Sequence, residues 1–415
     1  MLTILRQLSK RARRMTGGSH IGVQHILVTV LFVLWSPVTL PICIGVAVML
    51  LATDRIARQL SLSVHTRPQP AITHLRPRLK AGLYAIRWFL QTVNFAPIAL
   101  KSTYILALDG VGRRSTARQQ LRIANVPVDV YAASIEQSHR EDVEYPIVVL
   151  LHGYNYGPLV CRRWMLVPIA RTLQTLGCSV IVPEVDAKNT EDMEAIIRDL
   201  KSVLAWVGLH AGEMDGDADN VYIMGHGFGA YMALLLSVQS AAVQSRDDFR
   251  LQHPENDVRH PEVVLPNGLT EARIYAPEIE SLVPKGLILL APISDTQKYL
   301  EWEVSQGVTG LSPMRQILGR SCLFHSPAHL LFAARSVLTV EYLPSKMLII
   351  HGGRDVVVQP SQSNMLEELL TGGGMLSVQK SFQPGLDHID LLKGLDNAGL
   401  NKVSPVLNDV MAFVM

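Results

Sequence analysis

The run Val221-Tyr-Ile-Met-Gly225-His-Gly227-Phe-Gly229-Ala-Tyr-Met-Ala-Leu-Leu-Leu236 sets the architecture of this chain. An apolar segment feeds three alternating glycines, and these feed a second apolar segment at helical spacing. The pattern predicts a strand, a tight turn and a helix. Strands and helices predicted on either side of it alternate, so the fold class expected is α/β, with a mostly parallel central sheet and helices on both faces.

Two chemistries use a turn of this kind. One is the dinucleotide fingerprint G-x-G-x-x-G/A, which Gly225-His-Gly227-Phe-Gly-Ala230 fits. That reading needs a second strand ending in an acid about 20 residues on. Asp247 stands at that distance, but in the polar run Gln244–His253 with no apolar strand before it. The other is the nucleophile elbow, written G-x-S-x-G, whose central serine attacks an acyl carbon. Here the frame reads Gly225-His226-Gly227-Phe228-Gly229, so the serine's seat holds glycine. Strands already precede this turn, which favours the elbow.

Working outward, residues 102–415 read as the main domain. Strands are predicted at Thr103–Leu108, Leu121–Ala132, Tyr145–His152, Cys178–Pro183, Gly286–Pro292, Lys346–His351 and Met375–Phe382. Helices are predicted at Pro158–Leu176 and Thr190–Ala211, the latter with Met193, Ile196, Ile197, Leu200, Val203, Leu204 and Val207 on one face. The polar segment 240–284 interrupts the alternation and reads as an insertion after the elbow helix, either a lid over the site or a solvated excursion.

The N-terminal quarter differs in character. Residues 1–20 are basic, with Arg6, Lys10, Arg11, Arg13 and Arg14, and no acid occurs before Asp54. Residues 21–53 carry no charge, which is long enough to cross a bilayer and too long for the apolar core of a cleaved signal. Mean hydropathy is +0.21 and apolar residues make up 48% of the chain, both in keeping with a membrane segment. Pro37 and Pro41 near its middle leave two readings open, a kinked single span or a re-entrant hairpin. Residues 54–101 are a linker followed by an apolar stretch from Ala81, read either as a helix at the membrane surface or as a core helix. A membrane is therefore the expected location and membrane lipid an expected partner. The endoplasmic reticulum or another endomembrane is expected, with a mitochondrial membrane as the alternative.

Net charge is +2, which implies no nucleic-acid field. Cys43, Cys161, Cys178 and Cys322 have no metal or redox spacing and read as free thiols. There is no H-E-x-x-H, Walker or EF-hand motif, and no cofactor or metal is expected.

Acyl transfer needs a nucleophile, a base, an acid that orients the base, and N–H groups facing the oxyanion. The acid falls on Asp355, just past a late strand, and the base on His388, past the last strand. Asp387 and Asp390 are rival partners for that histidine. The oxyanion donors fall at His152-Gly153 and on the backbone N–H of Phe228. Gly227 cannot attack, and glycine there keeps the turn while relieving its backbone strain. His226, before the apex, and Ser237, nearly three turns down the helix, are poor substitutes.

The segments Leu150–Gly153, Asp199–Val207, Val221–Tyr231, Leu311-Ser-Pro-Met314, His351–Asp355 and His388–Leu392 follow one another in the order of a known family. Together they resemble the α/β-hydrolases, and among them the membrane-anchored isoprenylcysteine methylesterase-like and kynurenine formamidase-like carboxylesterases. The resemblance covers residues 140–400. It implies a carboxylic ester or amide hydrolase acting on a lipophilic substrate beside a membrane. It carries the acid to Asp355, the base to His388 and the nucleophile to Gly227. The expectation is a ligand- or partner-binding pseudohydrolase. The alternatives are an esterase using Asp355, His388 and water, and a membrane scaffold with a vestigial site.

Overall fold

A computed structural model of the chain describes residues 94–111, 118–133, 145–153, 162–184, 193–252, 274–275, 279–306, 312–318, 322–334, 338–396 and 404–415. The segments 1–20 and 21–53, and most of 54–101, lie outside the described residues. Among the described residues no helix is long and apolar enough to cross a membrane.

The chain divides into two units, residues 1–116 with 302–311, and residues 117–301 with 312–415. In the first, the main described element is helix α1 (Ala96–Val111). Its course corrects the strand expected at Thr103–Leu108. The β-favouring side chains there sit in a run with no glycine or proline between Pro97 and Gly110, so the helix simply continues. The hydroxyls of Ser102 and Thr103 bond back to the carbonyls of Ile98 and Leu100, at 2.8 and 2.7 Å.

The second unit holds an eight-stranded sheet. Its strands are β1 (Gln119–Ile123), β2 (Val126–Tyr131), β3 (Tyr145–Leu151), β4 (Ser179–Pro183), β5 (Gly216–His226), β6 (Gly286–Leu290), β7 (Lys346–Gly352) and β8 (Val378–Gln383). Their order across the sheet is β1-β2-β4-β3-β5-β6-β7-β8. From β4 to β8 neighbours run parallel, and β1 and β2 are antiparallel. The single strand expected at Leu121–Ala132 is in fact the β1–β2 hairpin. A two-residue turn of this type needs positive φ, and Ala124 supplies it at 51°. No glycine marked the turn in the sequence.

The central strands are buried on both faces, which is why they read as unbroken apolar runs. All five residues of β6 (GLILL) are buried, as are six of the seven in β3. Edge strand β8 is exposed or half-buried along its whole length instead.

The helices needed below are α2 (Val167–Thr175), α3 (Met193–His210), α4 (Phe228–Gln252), α5 (Thr296–Gln306), α6 (Pro313–Leu318), α7 (Pro327–Ala334), α8 (Ser361–Gly372), α9 (His388–Leu395) and α10 (Pro405–Val414). Helix α4 corrects the start of the expected insertion. Residues 240–252 are a straight continuation of the elbow helix, because no breaker occurs before Pro254. Asp247 therefore lies in a helix rather than at the end of a strand, and the dinucleotide reading falls with it. Residues 253–273 lie outside the described residues.

Candidate active site

The site forms where β5 turns into α4, at the carboxyl ends of the central strands. The turn is tight because three glycines let backbone approach backbone. A Cβ on Gly225 would stand 2.4 Å from the carbonyl carbon of Gly229, and one on Gly229 would stand 2.4 Å from the Leu151 carbonyl oxygen at the end of β3. The apex, Gly227, has φ +54°, in the left-handed region that side chains avoid. Its N–H donates to Leu290 O at 2.8 Å, and its carbonyl accepts the Tyr231 N–H at 3.0 Å, closing the first turn of α4.

His388 opens α9. Asp387 caps that helix, its carboxylate accepting the N–H groups of Ile389 and Asp390 at 2.9 Å each. Asp390 in turn accepts the Asp387 N–H at 3.2 Å, completing a capping box. The two acids that could have competed for the imidazole are thus engaged with backbone. The imidazole is left to Asp355, and its Nδ1–H donates to Asp355 Oδ2 at 2.7 Å. That bond leaves Nε2 as the ring's other face, and Nε2 points at the apex. A Cβ added to Gly227 would stand 3.1 Å from it.

Asp355 sits past β7, wholly enclosed. Its other oxygen accepts the N–H groups of Val357 and Val358 at 2.7 and 2.8 Å. Burial by itself would raise its pKa. The facing His388 ring, their hydrogen bond, His351 and the Val358 N–H reverse this and hold the carboxyl below its ordinary value.

Two further histidines complete the arrangement. His226, on β5 just before the apex, donates Nε2–H to the His388 carbonyl at 2.8 Å, and the two rings lie 4.2 Å apart. His351 donates Nε2–H to Val358 O at 3.0 Å and accepts from the Ser363 hydroxyl at 2.6 Å. Burial pushes the pKa of His226 far down and that of His351 down, so both stay neutral. They position the base and the acid, and burial disfavours the charged form of both rings.

This arrangement makes stability pH-dependent. A histidine kept neutral in the fold, with an ordinary value near 6.5 when unfolded, lets the unfolded chain bind a proton that the folded chain does not. Stability therefore falls as pH drops below that value, by up to ~1.4 kcal/mol per pH unit for each of the two groups. Asp355 acts in the same direction at lower pH. Its contribution is present above the unfolded carboxyl value of 3.8 and is lost as pH falls through the lower folded value. Urea unfolding between pH 7.5 and 5.5 should show a smaller loss in His226→Gln than in the native chain. Equal losses would reject this account of His226.

At the neighbouring strand end, His152 is buried and Gly153 lies against the elbow. A Cβ on Gly153 would meet the His226 carbonyl oxygen at 2.8 Å. Phe228 N begins α4 directly after the apex. Gly153 thus packs against His226, the residue before the apex, and Phe228 follows the apex directly. Ser237 is remote: its hydroxyl bonds back to Ala233 O within α4. Among the described residues no three His, Cys, Asp or Glu side chains are placed to hold a metal ion.

Residues 129–370 match the BD-FAE family, which is more than half of the chain. The chain belongs to the BD-FAE family. The BD-FAE match takes in Gly227 and Asp355 and ends before His388. No match was found among curated proteins. Solved structures of similar fold include esterase 2 of Thermogutta terrifontis with propionate bound. It is 17% identical over 72% of this chain and 92% of that one, with a TM-score of 0.46. An inhibited esterase B of Lactobacillus rhamnosis is 14% identical over 79% and 96%, with a TM-score of 0.50. A putative carboxylesterase of Lactobacillus plantarum is 13% identical over 71% and 94%, with a TM-score of 0.48. At these identities the likeness is one of fold. That fold, with the BD-FAE match, is the α/β-hydrolase fold that the resemblance of the sequence implied.

Two supports of this BD-FAE site escaped the sequence. His351 lay in a quoted motif, but nothing marked it as the residue that braces the acid's loop through Val358 and Ser363. The second is an ion-pair network beside the oxyanion strand. Wholly buried Asp129 on β2 pairs with Arg118 at 2.9 Å and Arg163 at 2.6 Å. Glu184, after β4, pairs with Arg162 at 2.9 Å and Arg163 at 3.3 Å, and stands 3.9 Å from His152. A pair of adjacent arginines was the only available signal, and its partners lie 22 and 34 residues away.

Proposed function

We propose that this protein is a membrane-tethered relative of the carboxylic ester hydrolases that has given up serine chemistry. It keeps its cleft to bind a lipophilic ester or amide, or a protein partner. The observation that carries the reading is Gly227 at the apex of an otherwise complete elbow, facing the Asp355–His388 pair. Acyl transfer through a covalent intermediate needs an oxygen or sulfur at that apex, and glycine offers only hydrogen. The tether is the uncharged stretch 21–53, and with the Ser312-Pro-Met314 segment it favours the isoprenylcysteine methylesterase-like branch. Ser312 caps α6, its hydroxyl accepting the Arg315 N–H at 3.2 Å.

A second reading has one observation of its own. The point where a Cβ would stand is 3.1 Å from His388 Nε2, so no side chain of residue 227 separates that nitrogen from the space in front of the apex. Among the described residues, chain neighbours aside, only His388 comes within 4 Å of that point. A water bound to Nε2 in front of the apex would be deprotonated by it while Asp355 stabilises the resulting imidazolium. Catalysis without the serine retains roughly 10³–10⁴ over water, so any such turnover is slow.

The two readings separate in one experiment. The purified native chain is treated with a fluorophosphonate probe and assayed with an activated short-chain ester. The first reading expects no covalent adduct and no turnover, and an adduct ends it. The second expects slow turnover that His388→Ala abolishes. Turnover unchanged in that variant removes His388 from the mechanism.

A further inference from the structure

Helix α1 buries Ile98 together with two polar residues and exposes an apolar stripe. Its polar Ser102 and Thr103 are buried, at 0% and 9% exposure, while Leu100, Tyr104 and Leu108 stand at 40%, 65% and 53%. These three recur at i, i+4 and i+8, so they form one stripe along one face of the helix. The buried hydroxyls need no water, because each is satisfied by a carbonyl of the same helix. A helix whose outer face met water alone would carry polar residues along that stripe.

The charge of the chain says what the stripe meets. Residues 1–108 contain thirteen Lys and Arg and a single acid, Asp54, a net charge of +12. The whole chain is +2, so residues 109–415 carry −10. All the excess positive charge therefore lies on the part of the chain that contains the stripe and the uncharged stretch 21–53. Helix α1 itself carries Lys101 and Asp109, so the excess lies in the sequence before it. A basic chain leading into an exposed apolar face is the pattern of an anionic lipid surface, where headgroups attract the cations and acyl chains take the side chains. Tyrosine is favoured at that boundary, with its ring in the apolar layer and its hydroxyl in the polar one. At 16 residues α1 is roughly 24 Å long, short of the roughly 30 Å needed to cross.

We propose that α1 lies in the interface of an anionic membrane with Leu100, Tyr104 and Leu108 buried among the lipids, as a contact separate from the 21–53 tether. The inference deepens the membrane reading above and rests on it only for bringing the chain to a bilayer. It is independent of what occurs at Gly227.

The test uses the full chain with the photocrosslinker p-benzoylphenylalanine in place of Tyr104, reconstituted into phosphatidylcholine vesicles with and without phosphatidylserine. The expected product is a lipid adduct, falling about fivefold without phosphatidylserine, the effect of one basic side chain near the surface. Leu100→Gln with Leu108→Gln should lower the adduct in the same vesicles. A crosslink to a second copy or to another part of the same chain would overturn the proposal, as would no adduct. Equal adducts in both vesicles would overturn its anionic component. Alkaline carbonate extraction reports on the tether separately: release of the chain counts against 21–53 as an anchor, while a lipid adduct at 104 still stands.

Discussion

Gly227→Ser will react covalently with a fluorophosphonate probe, and the native chain will not. The base stands ready, with His388 Nδ1 bound to Asp355 at 2.7 Å and Nε2 directed at the apex. The acid is held by two backbone N–H groups. What the substitution adds is the attacking oxygen. In a serine triad, loss of that group costs about 10⁶ in turnover. Two effects keep the gain below that figure. The left-handed φ of 54° costs a non-glycine residue on the order of 1–3 kcal/mol. A Cβ at 3.1 Å from Nε2 also asks the ring to withdraw by a few tenths of an ångström. Withdrawal is resisted by the Asp355 bond on one side and the His226 ring, 4.2 Å away, on the other. We expect labelling at least ~10³ faster than in the native chain, abolished again by adding His388→Ala. The midpoint of urea unfolding should fall by an amount equivalent to the strain. A folded Gly227→Ser chain that stays unlabelled would show that acid, base and oxyanion donors are not aligned on the apex.

Gly225→Ala should be among the most destabilising single substitutions in the chain, costing about 3 kcal/mol or more. Its Cβ would stand 2.4 Å from the carbonyl carbon and oxygen of Gly229 and 2.5 Å from the Ala230 nitrogen. All three contacts are backbone, so no rotamer change relieves them. The crossing of β5 and α4 would have to open, carrying Gly227 away from His388. Gly212→Ala is the control. It adds the same methyl group where nothing lies within 4 Å, and should stay within about 0.5 kcal/mol of the native chain. Denaturant midpoints of the two variants decide the matter. Similar midpoints would mean that the elbow is looser than these distances require.

Much of this was legible because local patterns carry it. The alternation of apolar runs with amphipathic helices reads out a parallel sheet, since strands covered on both faces must be apolar throughout. The elbow was legible because only glycine fits where a Cβ would stand 2.4 Å from neighbouring backbone. Errors arose where neighbours outweighed intrinsic preference. Thr103–Leu108 has the side chains of a strand but lies inside a helix that nothing interrupts. The turn at Ala124 carries a positive φ with no glycine to announce it. Ser240–Gln252 looked like an excursion because it is polar, yet polarity does not end a helix and no breaker lies within it.

From residue types and their order alone came the α/β class, the elbow with glycine at its apex, and the assignment of acid and base to Asp355 and His388. All three are properties of short segments, and chain order suffices for them. Whether those segments meet is another matter. Only the tertiary structure brings Nε2 of His388 to 3.1 Å from the missing Cβ of residue 227, across 161 residues of chain, and hands the rival acids Asp387 and Asp390 to a helix cap. It also recruits His226 and His351 as neutral braces and turns the apolar stripe of α1 outward. Such facts depend on which side chains share a burial site, and burial is a property of the assembled fold that no local pattern encodes.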